Sequence, residues 1–266
     1  MGKGRPFLEV FTSALKENYR FPILEVFAFL YALATFIFAA LGATFAQSSE
    51  AFAHNLVNSV AGFPLFIFVI LILVNTAYGL GNDVEKGVIQ TLLSYPLKRR
   101  SVLTAKLLSA LGIALLLFLG IQVSAIFLLA PDIVTHYLNT VLLSYLATLS
   151  TAFLIAGIVL VIALVLKRGG LALVIGIVFY FALSIISSLV SFIVYTGSDV
   201  PFRIYAVIAP NMVLDKYYGG GIMPIFSTGM WTPTFTDVLL YIGASYVLVA
   251  IVFALGYIYF DRRLGI

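Results

Sequence analysis

The strongest constraint on this chain is a set of six apolar runs, each longer than 20 residues, separated by polar connections. A helix needs about 20 apolar residues to cross the roughly 30 Å of hydrocarbon in a bilayer. The runs therefore predict six transmembrane helices. They lie at Phe21–Ala46, Ser59–Leu80, Val102–Ala130, Tyr137–Leu166, Leu171–Thr196 and Val238–Phe260.

The composition agrees with an all-α integral membrane protein. Of the 266 residues, 62% are hydrophobic and only 10% are charged, whereas a soluble domain carries about 25% charged residues. The net charge of +4 indicates membrane topology rather than affinity for nucleic acid, so no nucleic-acid partner is expected. Because the chain has no cysteine, disulfides and thiolate metal sites are excluded.

The basic residues divide unequally between the two sides of the predicted bundle. One side carries thirteen: Lys3, Arg5, Lys16, Arg20, Lys86, Lys98, Arg99, Arg100, Lys106, Lys167, Arg168, Arg262 and Arg263. The other side carries only Arg203 and Lys216. Since Lys and Arg concentrate on the cytoplasmic side, both termini and the loop at 81–106 are predicted to be cytoplasmic in a cell membrane.

The prediction is one transmembrane domain over 1–266. Five spans occupy 21–196, an external segment follows at 197–237, the sixth span lies at 238–260, and a cytoplasmic tail covers 261–266. The external segment is rich in proline and glycine, and no span fits within it.

Residues 1–20 predict a cytoplasmic amphipathic helix that begins at Pro6. Apolar residues recur on one face at Phe7, Val10, Phe11, Ala14 and Leu15. We expect this helix to lie in the membrane interface and to contact lipid, because the first span follows at once. Packing on a soluble partner is the alternative.

The longest charged interval between two apolar runs is GNDVEKGVIQTLLSYPLKRRSVLTAK, residues 81–106. Asn82 and Glu85 have the spacing of a capping box, and Tyr95 precedes a proline that disfavours further helix. A short amphipathic helix is therefore predicted from Asp83 to Tyr95, followed by the basic triplet at 98–100. Such an element suits either the membrane surface or docking to a partner.

Catalytic motifs are absent. The sequence contains no GxxxxGK[ST], HExxH or GxSxG motif, so we expect no nucleotide-binding loop, no metal site and no catalytic residue in this chain. His54 and His136 fall near predicted external turns and are interpreted as ordinary surface histidines. The spans carry no ionisable residue at mid-depth, which argues against ion-coupled transport.

Uncharged polar residues do occur inside the predicted spans, and a set of serines in the fifth span keeps helical spacing. The candidates for a substrate path are Asn75, Gln122, Ser184, Ser187, Ser188 and Ser191. Two interpretations stay open, because such residues either line a translocation path or hold neighbouring helices together through hydrogen bonds.

The 81–106 loop also carries an ordered pattern of residue types. An acidic residue, a glycine, a leucine pair, a proline, a basic residue and a lysine that opens the third span occur in that order. They are Glu85, Gly87, Leu92-Leu93, Pro96, Arg99 or Arg100, and Lys106. With six spans and an amphipathic N-terminal helix, the chain resembles the permease subunits of type-2 ATP-binding-cassette (ABC) exporters.

The resemblance implies that 83–95 is a cytoplasmic coupling helix that docks on a separate ABC ATPase subunit. The docking residues that it implies are Asp83, Val84, Glu85, Lys86, Gly87, Val88, Ile89, Leu92, Leu93, Tyr95 and Arg99. ATP and Mg²⁺ would be bound by the ATPase, with no cofactor on this chain. A second permease chain, identical or closely related, would complete the transporter.

Two other functions remain as alternatives to the exporter. One is a membrane-embedded enzyme, such as a protease or a lipid transferase, and the other is an ion-coupled secondary transporter. No residue in the sequence identifies a substrate.

Overall fold

A computed structural model describes residues 6–19, 22–44, 49–93, 98–195, 199–218 and 231–263. These residues form helices joined by short turns, and no strand occurs among them. The helices are α1 (Pro6–Asn18), α2 (Ile23–Thr44), α3 (Glu50–Leu73), a π-helix (Val74–Tyr78), α4 (Gly79–Glu85), α5 (Val88–Leu93), α6 (Arg99–Leu129), α7 (Pro131–His136), α8 (Leu138–Leu166), α9 (Gly169–Tyr195), α10 (Val200–Ala206), α11 (Asn211–Tyr217) and α12 (Phe235–Arg263). The predicted all-α class is confirmed.

Six helical stretches in the described part of the chain are long and apolar enough to cross a membrane. They are Leu24–Gly42, Pro64–Glu85, Arg99–Leu129, Leu138–Leu166, Gly169–Ile193 and Phe235–Arg262. Each overlaps one of the predicted runs. The prediction of a multi-pass membrane protein with six spans is therefore confirmed.

The second span belongs to a longer helical stretch than the sequence predicts. α3, the π-helix and α4 follow one another without a break from Glu50 to Glu85, and we call this stretch the central run. At 1.5 Å per residue it extends for about 54 Å. The apolar run alone ends at Leu80, because the polar residues that continue the helix resemble loop residues in composition.

The central run and α8 form the middle of the bundle. In an 18-residue apolar window of the Pro64–Glu85 span 67% of residues are buried, and in the corresponding window of α8 the share is 61%, whereas the windows of the other four spans bury between 17% and 28%. α12 and α9 pack on α8, while α2 and α6 pack on the central run. The outer spans therefore present broad apolar faces, which suits contact with lipid.

The predicted helix from Asp83 to Tyr95 is divided into two pieces, so this prediction is wrong in its boundaries. α4 ends at Glu85, Lys86 and Gly87 form a turn, and α5 begins immediately after it. Gly87 has a φ of +72°, a left-handed conformation in which glycine lacks the steric penalty of other residues. The glycine that the sequence pattern singled out is therefore the point at which the helix breaks.

The capping-box spacing predicted that Asn82 is an N-cap, and this prediction is wrong. Asn82 lies inside α4, and its carbonyl accepts a hydrogen bond of 2.9 Å from the backbone N–H of Lys86. The cause is the extension of the second span, which carries helix past the predicted start. Tyr95 and Pro96 lie outside the described residues.

The connections rich in basic residues gather at one end of the bundle, which we call the basic end. Lys106 Nζ on α6 lies 3.2 Å from a Glu17 carboxylate oxygen on α1. Arg100 lies 2.8 Å from Asp261 near the end of α12. The basic end therefore brings together α1, the start of α6 and the end of α12.

α1 is a helix, as predicted, and it lies along α6. Ala14 is buried, and Asn18 Nδ2 donates a buried hydrogen bond of 3.0 Å to Ser109 Oγ on α6. Phe7 and Leu15 remain exposed. One face of α1 is thus fixed to the chain's own third span, while apolar side chains stay available on another face.

The opposite end, which we call the cap end, is built by α10 and α11 from the segment at 197–237. No candidate span lies among the described residues of that segment, as predicted. Asp199 accepts hydrogen bonds from Lys216 Nζ at 3.1 Å and from the Trp231 backbone N–H at 2.8 Å. Although partial burial acts to raise the pKa of Asp199, these hydrogen bonds prevail and lower it.

The packing of α4 against the start of α9 depends on two glycines that touch. A Cβ added to Gly169 would lie 2.5 Å from the carbonyl oxygen of Tyr78, and one added to Gly81 would lie 2.6 Å from the Gly169 Cα. Both distances are too short for real contacts, and both obstacles are backbone. Only glycine permits this approach.

We therefore predict that Gly169→Ala lowers the stability of the purified chain by about 1–3 kcal/mol, the usual cost of overpacking. Thermal unfolding in mild detergent measures it. The matched control is Gly170→Ala, because an added Cβ there meets nothing within 4 Å. Equal melting temperatures for the two variants would contradict the proposed contact.

Candidate functional site

A buried ion pair organises the basic end. Lys106 Nζ on α6 contacts the Asp83 carboxylate on α4 and lies 3.2 Å from Glu17 on α1. Lys106 and Asp83 are only 8% and 6% exposed. Because a buried charge is costly unless it is paired, these side chains hold α1, α4 and α6 in one arrangement.

A cavity of about 10 Å³, the room of a single water molecule, adjoins this ion pair. Asn75 and Thr76 of the π-helix line it together with Asp83 and Lys106. Thr76 Oγ1 donates to the Ile72 carbonyl at 2.7 Å, but Asn75 Nδ2 is buried with no hydrogen-bond partner among the described residues. Asn75 therefore lies at the basic end, away from the other candidate path residues.

The residues implied for partner docking fall into different environments. Asp83, Val84 and Ile89 are buried inside the chain itself. Half-buried positions are Gly87, Leu92, Leu93 and Arg99, exposed positions are Glu85, Lys86 and Val88, and Tyr95 lies outside the described residues. The surface that a partner could touch therefore centres on Glu85, Lys86 and Val88, which we call the elbow.

Burial of Ile89 explains how the elbow is held. Ile89 is 2% exposed and packs in a small apolar cluster with residues of α6, α8 and α12, including Leu103, Leu160 and Phe260. The apolar side of α5 is thus joined to a cluster that includes residues of three spans. The amphipathic pattern of 83–95 serves packing within the chain as well as any contact with a partner.

Gln122 lies deep in the bundle and is fully buried. Its Nε2 donates to the Tyr31 hydroxyl at 2.7 Å and to the Val60 carbonyl at 3.1 Å, while its Oε1 accepts a hydrogen bond of 3.0 Å from Tyr145. These contacts join α2, α3, α6 and α8. Of the two interpretations left open by the sequence, helix association describes Gln122 in this structure.

The serines of α9 separate in the structure. Ser184, Ser187 and Ser188 line a cleft of about 290 Å³ near the cap end. Ser191 lies one turn further on and donates a hydrogen bond of 2.9 Å to the Ser187 carbonyl. Three of the six candidate path residues therefore share a cavity, and the other three lie elsewhere.

A polar network at the cap end was missed by the sequence reasoning. His54, interpreted as a surface histidine, is fully buried, so that interpretation is wrong. Its Nδ1 lies 2.7 Å from Ser144 Oγ on α8, and its Nε2 lies 2.9 Å from Asp215 Oδ1 on α11. His136 is exposed, as predicted, and its Nδ1 lies 2.8 Å from the Asp132 carbonyl oxygen.

Two asparagines extend this network. Asn58, one turn after His54 on α3, donates to Asp215 Oδ1 at 2.6 Å. Asn211 on α11 donates to Asn58 Oδ1 at 2.6 Å. The network therefore fastens α11 to the central run and to α8, which explains how a short cap helix is held in place.

The residue types Ser144, His54 and Asp215 are those of a catalytic triad, but their arrangement differs from one. In a triad the serine contacts Nε2 and the acid contacts Nδ1, whereas here the two nitrogens are exchanged. Ser144 and His54 are also both fully buried, so a substrate has no access to the hydroxyl. The contacts describe a structural network.

Sequence reasoning had little basis for finding this network. Ser144 is 90 residues from His54 in the chain, and Asp215 is 161 residues away. The available signal was spacing, since His54 and Asn58, like Asn211 and Asp215, stand four residues apart and so share one face of a helix. Paired polar residues of this kind on two apolar helices would have indicated a contact.

Among the described residues, no group of three or more His, Asp or Glu side chains is placed to hold a metal ion. Comparison of the chain with known families and proteins adds no identification. No protein-family model matches the sequence, and no curated protein matches it.

The ion pair at the basic end gives a second prediction. Lys106→Met leaves the buried Asp83 carboxylate without its cation, so we expect a loss of about 3–5 kcal/mol in stability. Thermal unfolding of the purified chain measures this loss. Lys98→Met is the control, because Lys98 is exposed at the start of α6.

The double variant Asp83→Asn, Lys106→Met tests the cause of that loss. Removing both charges removes the unpaired carboxylate, so most of the stability should return. If the double variant melts as low as Lys106→Met alone, the loss comes from packing of the lysine side chain rather than from the unpaired carboxylate.

Proposed function

We propose that this chain is the membrane-spanning permease subunit of an ABC transporter, most simply an exporter. A separate ATPase subunit would bind ATP and Mg²⁺ and dock on the elbow. The proposal rests on the ordered pattern in 81–106, on the six spans and on the form of the basic end.

The observation that carries the proposal is the position of the elbow at the tip of the central run. Glu85 ends a helical stretch of about 54 Å that passes through the middle of the bundle and reaches the cap end. The elbow is exposed, yet the neighbouring Ile89 is buried in an apolar cluster that includes residues of three spans. A push on such an element is transmitted to the spans, which is what ATP-driven rearrangement of a permease requires.

The chemistry of the elbow suits a protein groove. Glu85 and Lys86 offer charges, and Val88 offers an apolar side chain that is 39% exposed. A groove with basic and apolar residues would complement Glu85 and Val88. Under the orientation that the basic residues favour, this surface faces the cytoplasm, where ATP is available.

Further partners follow from the same proposal. A second permease chain, identical or closely related, would pair with this one through the broad apolar faces of the outer spans. α1 would lie in the interface between lipid and cytoplasm, with Phe7 and Leu15 toward the acyl chains. The Glu17–Lys106 contact would then link the interfacial helix to the third span.

The alternatives have less support. A membrane-embedded enzyme needs a reactive group that its substrate reaches, and Ser144 is fully buried. A secondary transporter needs ionisable groups along an ion path, whereas Asp83 and Lys106 form a pair at one end of the bundle. Neither alternative explains the exposed elbow.

Co-purification tests the proposed function. The tagged chain is isolated from native membranes in mild detergent, and associated proteins are identified by mass spectrometry. An ATPase with a Walker motif is expected to co-purify with the wild-type chain. The amount of ATPase recovered with Glu85→Lys is expected to be at least about tenfold lower, since charge reversal in a docking surface adds repulsion. Glu85 is exposed, so the variant should fold normally.

Asp132→Lys is the matched control, because it reverses an exposed carboxylate at the opposite end of the bundle. It should retain the ATPase. If no ATPase accompanies the folded wild-type chain, or if Glu85→Lys and Asp132→Lys retain it equally, the docking proposal is wrong.

A further inference from the structure

The cleft at the cap end has a volume of about 290 Å³. Its walls come from α3, α8, α9, α10 and α11, with Leu65, Ile155 and Leu183 among the apolar residues that line it. Ligand pockets in proteins begin at about 300 Å³. The volume of the cleft is close to this lower bound, so the cleft has room for a small molecule and is far larger than a bare ion requires.

The cleft carries a single kind of charge. Asp215 is the only charged side chain among the described residues that line it. The side chain is 44% exposed. Its contacts with His54 and Asn58 both use Oδ1, and Oδ2 accepts no hydrogen bond from a described residue. A carboxylate oxygen is thus free at the polar end of the cleft.

Most of the other polar groups of the cleft also have hydrogen-bond acceptor capacity. Asn211, one turn before Asp215 on α11, donates its amide to Asn58, while its Oδ1 is buried with no partner. Five of the seven hydroxyl groups lining the cleft donate to acceptors within the chain, and the hydroxyls of Tyr180 and Ser184 complete the set. The five donors are Thr148 to the Ser144 carbonyl, Thr151 to the Ile208 carbonyl, Ser187 to Met212 Sδ, Ser188 to the Ser184 carbonyl and Tyr205 to the Leu183 carbonyl.

A hydroxyl that donates inside the protein keeps its lone pairs for a ligand. The cleft therefore offers negative charge and hydrogen-bond acceptors at its polar end, and offers apolar walls elsewhere. An anionic head group would be repelled by Asp215. A neutral polyol would bring no positive charge to the carboxylate and would leave the apolar walls without a partner.

We propose that this cleft binds a small amphipathic organic ammonium ion. The ammonium group donates a hydrogen bond to Asp215 Oδ2, and the apolar part lies against Leu65, Ile155 and Leu183. The rings of Tyr180 and Tyr205, which also line the cleft, are suited to a cation. The claim that the chain transports this ligand rests on the proposed permease function. The claim that the cleft binds the ligand is independent of that function.

Calorimetric titration of the full chain in lipid nanodiscs tests the inference, with empty nanodiscs subtracted. The probes are 4-phenylbutylamine, 4-phenylbutanol and 4-phenylbutanoate, which share one apolar part and differ in the charge of the head group. The amine is expected to bind at least about tenfold more tightly than the alcohol, since it alone places a positive charge against the Asp215 carboxylate. The carboxylate is expected not to bind.

Two variants locate the site. Asp215→Asn removes the charge while leaving an acceptor for Asn58, and it should weaken amine binding roughly tenfold or more. Ala209→Leu fills the cleft from its lining and should abolish binding without touching Asp215. Asp132→Asn, which neutralises an exposed carboxylate outside the cleft, should bind the amine as the wild-type chain does.

Two results would overturn the inference. One is equal binding of amine and alcohol by a folded wild-type chain. The other is saturable binding of sodium chloride that Asp215→Asn abolishes, with no preference for the amine, which would assign the acceptors to a sodium ion. Both measurements use the chain in nanodiscs without an ATPase, so their outcome is independent of the co-purification that tests the permease function.

Discussion

The rest of the structure depends on the central run, because its contacts with the other elements fix both ends of the bundle. At one end His54 and Asn58 hold the cap helix α11 through Asp215. At the other end Asp83 meets Lys106, and the chain turns at Gly87. A lipid environment offers no water to satisfy such groups. His54 and Asp83, both buried on this run, therefore have their partners inside the protein, and those partners help determine how the outer elements are arranged.

The two proposals of function concern opposite ends of the same helical stretch. The elbow that we assign to the ATPase follows Asp83, and the cleft that we assign to an ammonium ion adjoins the Asp215 that His54 and Asn58 contact. A displacement of a helix along its axis moves both ends together, because the backbone hydrogen bonds make it stiff. If both proposals hold, this geometry would give a direct physical route between nucleotide hydrolysis on the ATPase and the cleft.

The sequence predicts the six spans and the gathering of basic connections well, because both depend on local composition. It fails where partners are distant in the chain, as for His54, whose position near a predicted turn suggested exposure. It also fails where a helix continues through polar residues, as at Asn82. The serines of α9 show an intermediate case, since the helical spacing of Ser184, Ser187 and Ser188 indicates a shared face but not the cavity that this face lines.

The π-helix at Val74–Tyr78 changes the direction around the helix axis in which the side chains after it point. A π-turn accommodates one residue more than an α-turn, and each residue of an α-helix advances the chain by about 100° around the axis. Everything beyond Tyr78 is therefore rotated relative to a regular helix with the same start. If the whole run were a regular α-helix with His54 in its present position, the Asp83 side chain would point about 100° away from Lys106. The single irregular turn thus sets the angular offset that lets the two ends meet different partners.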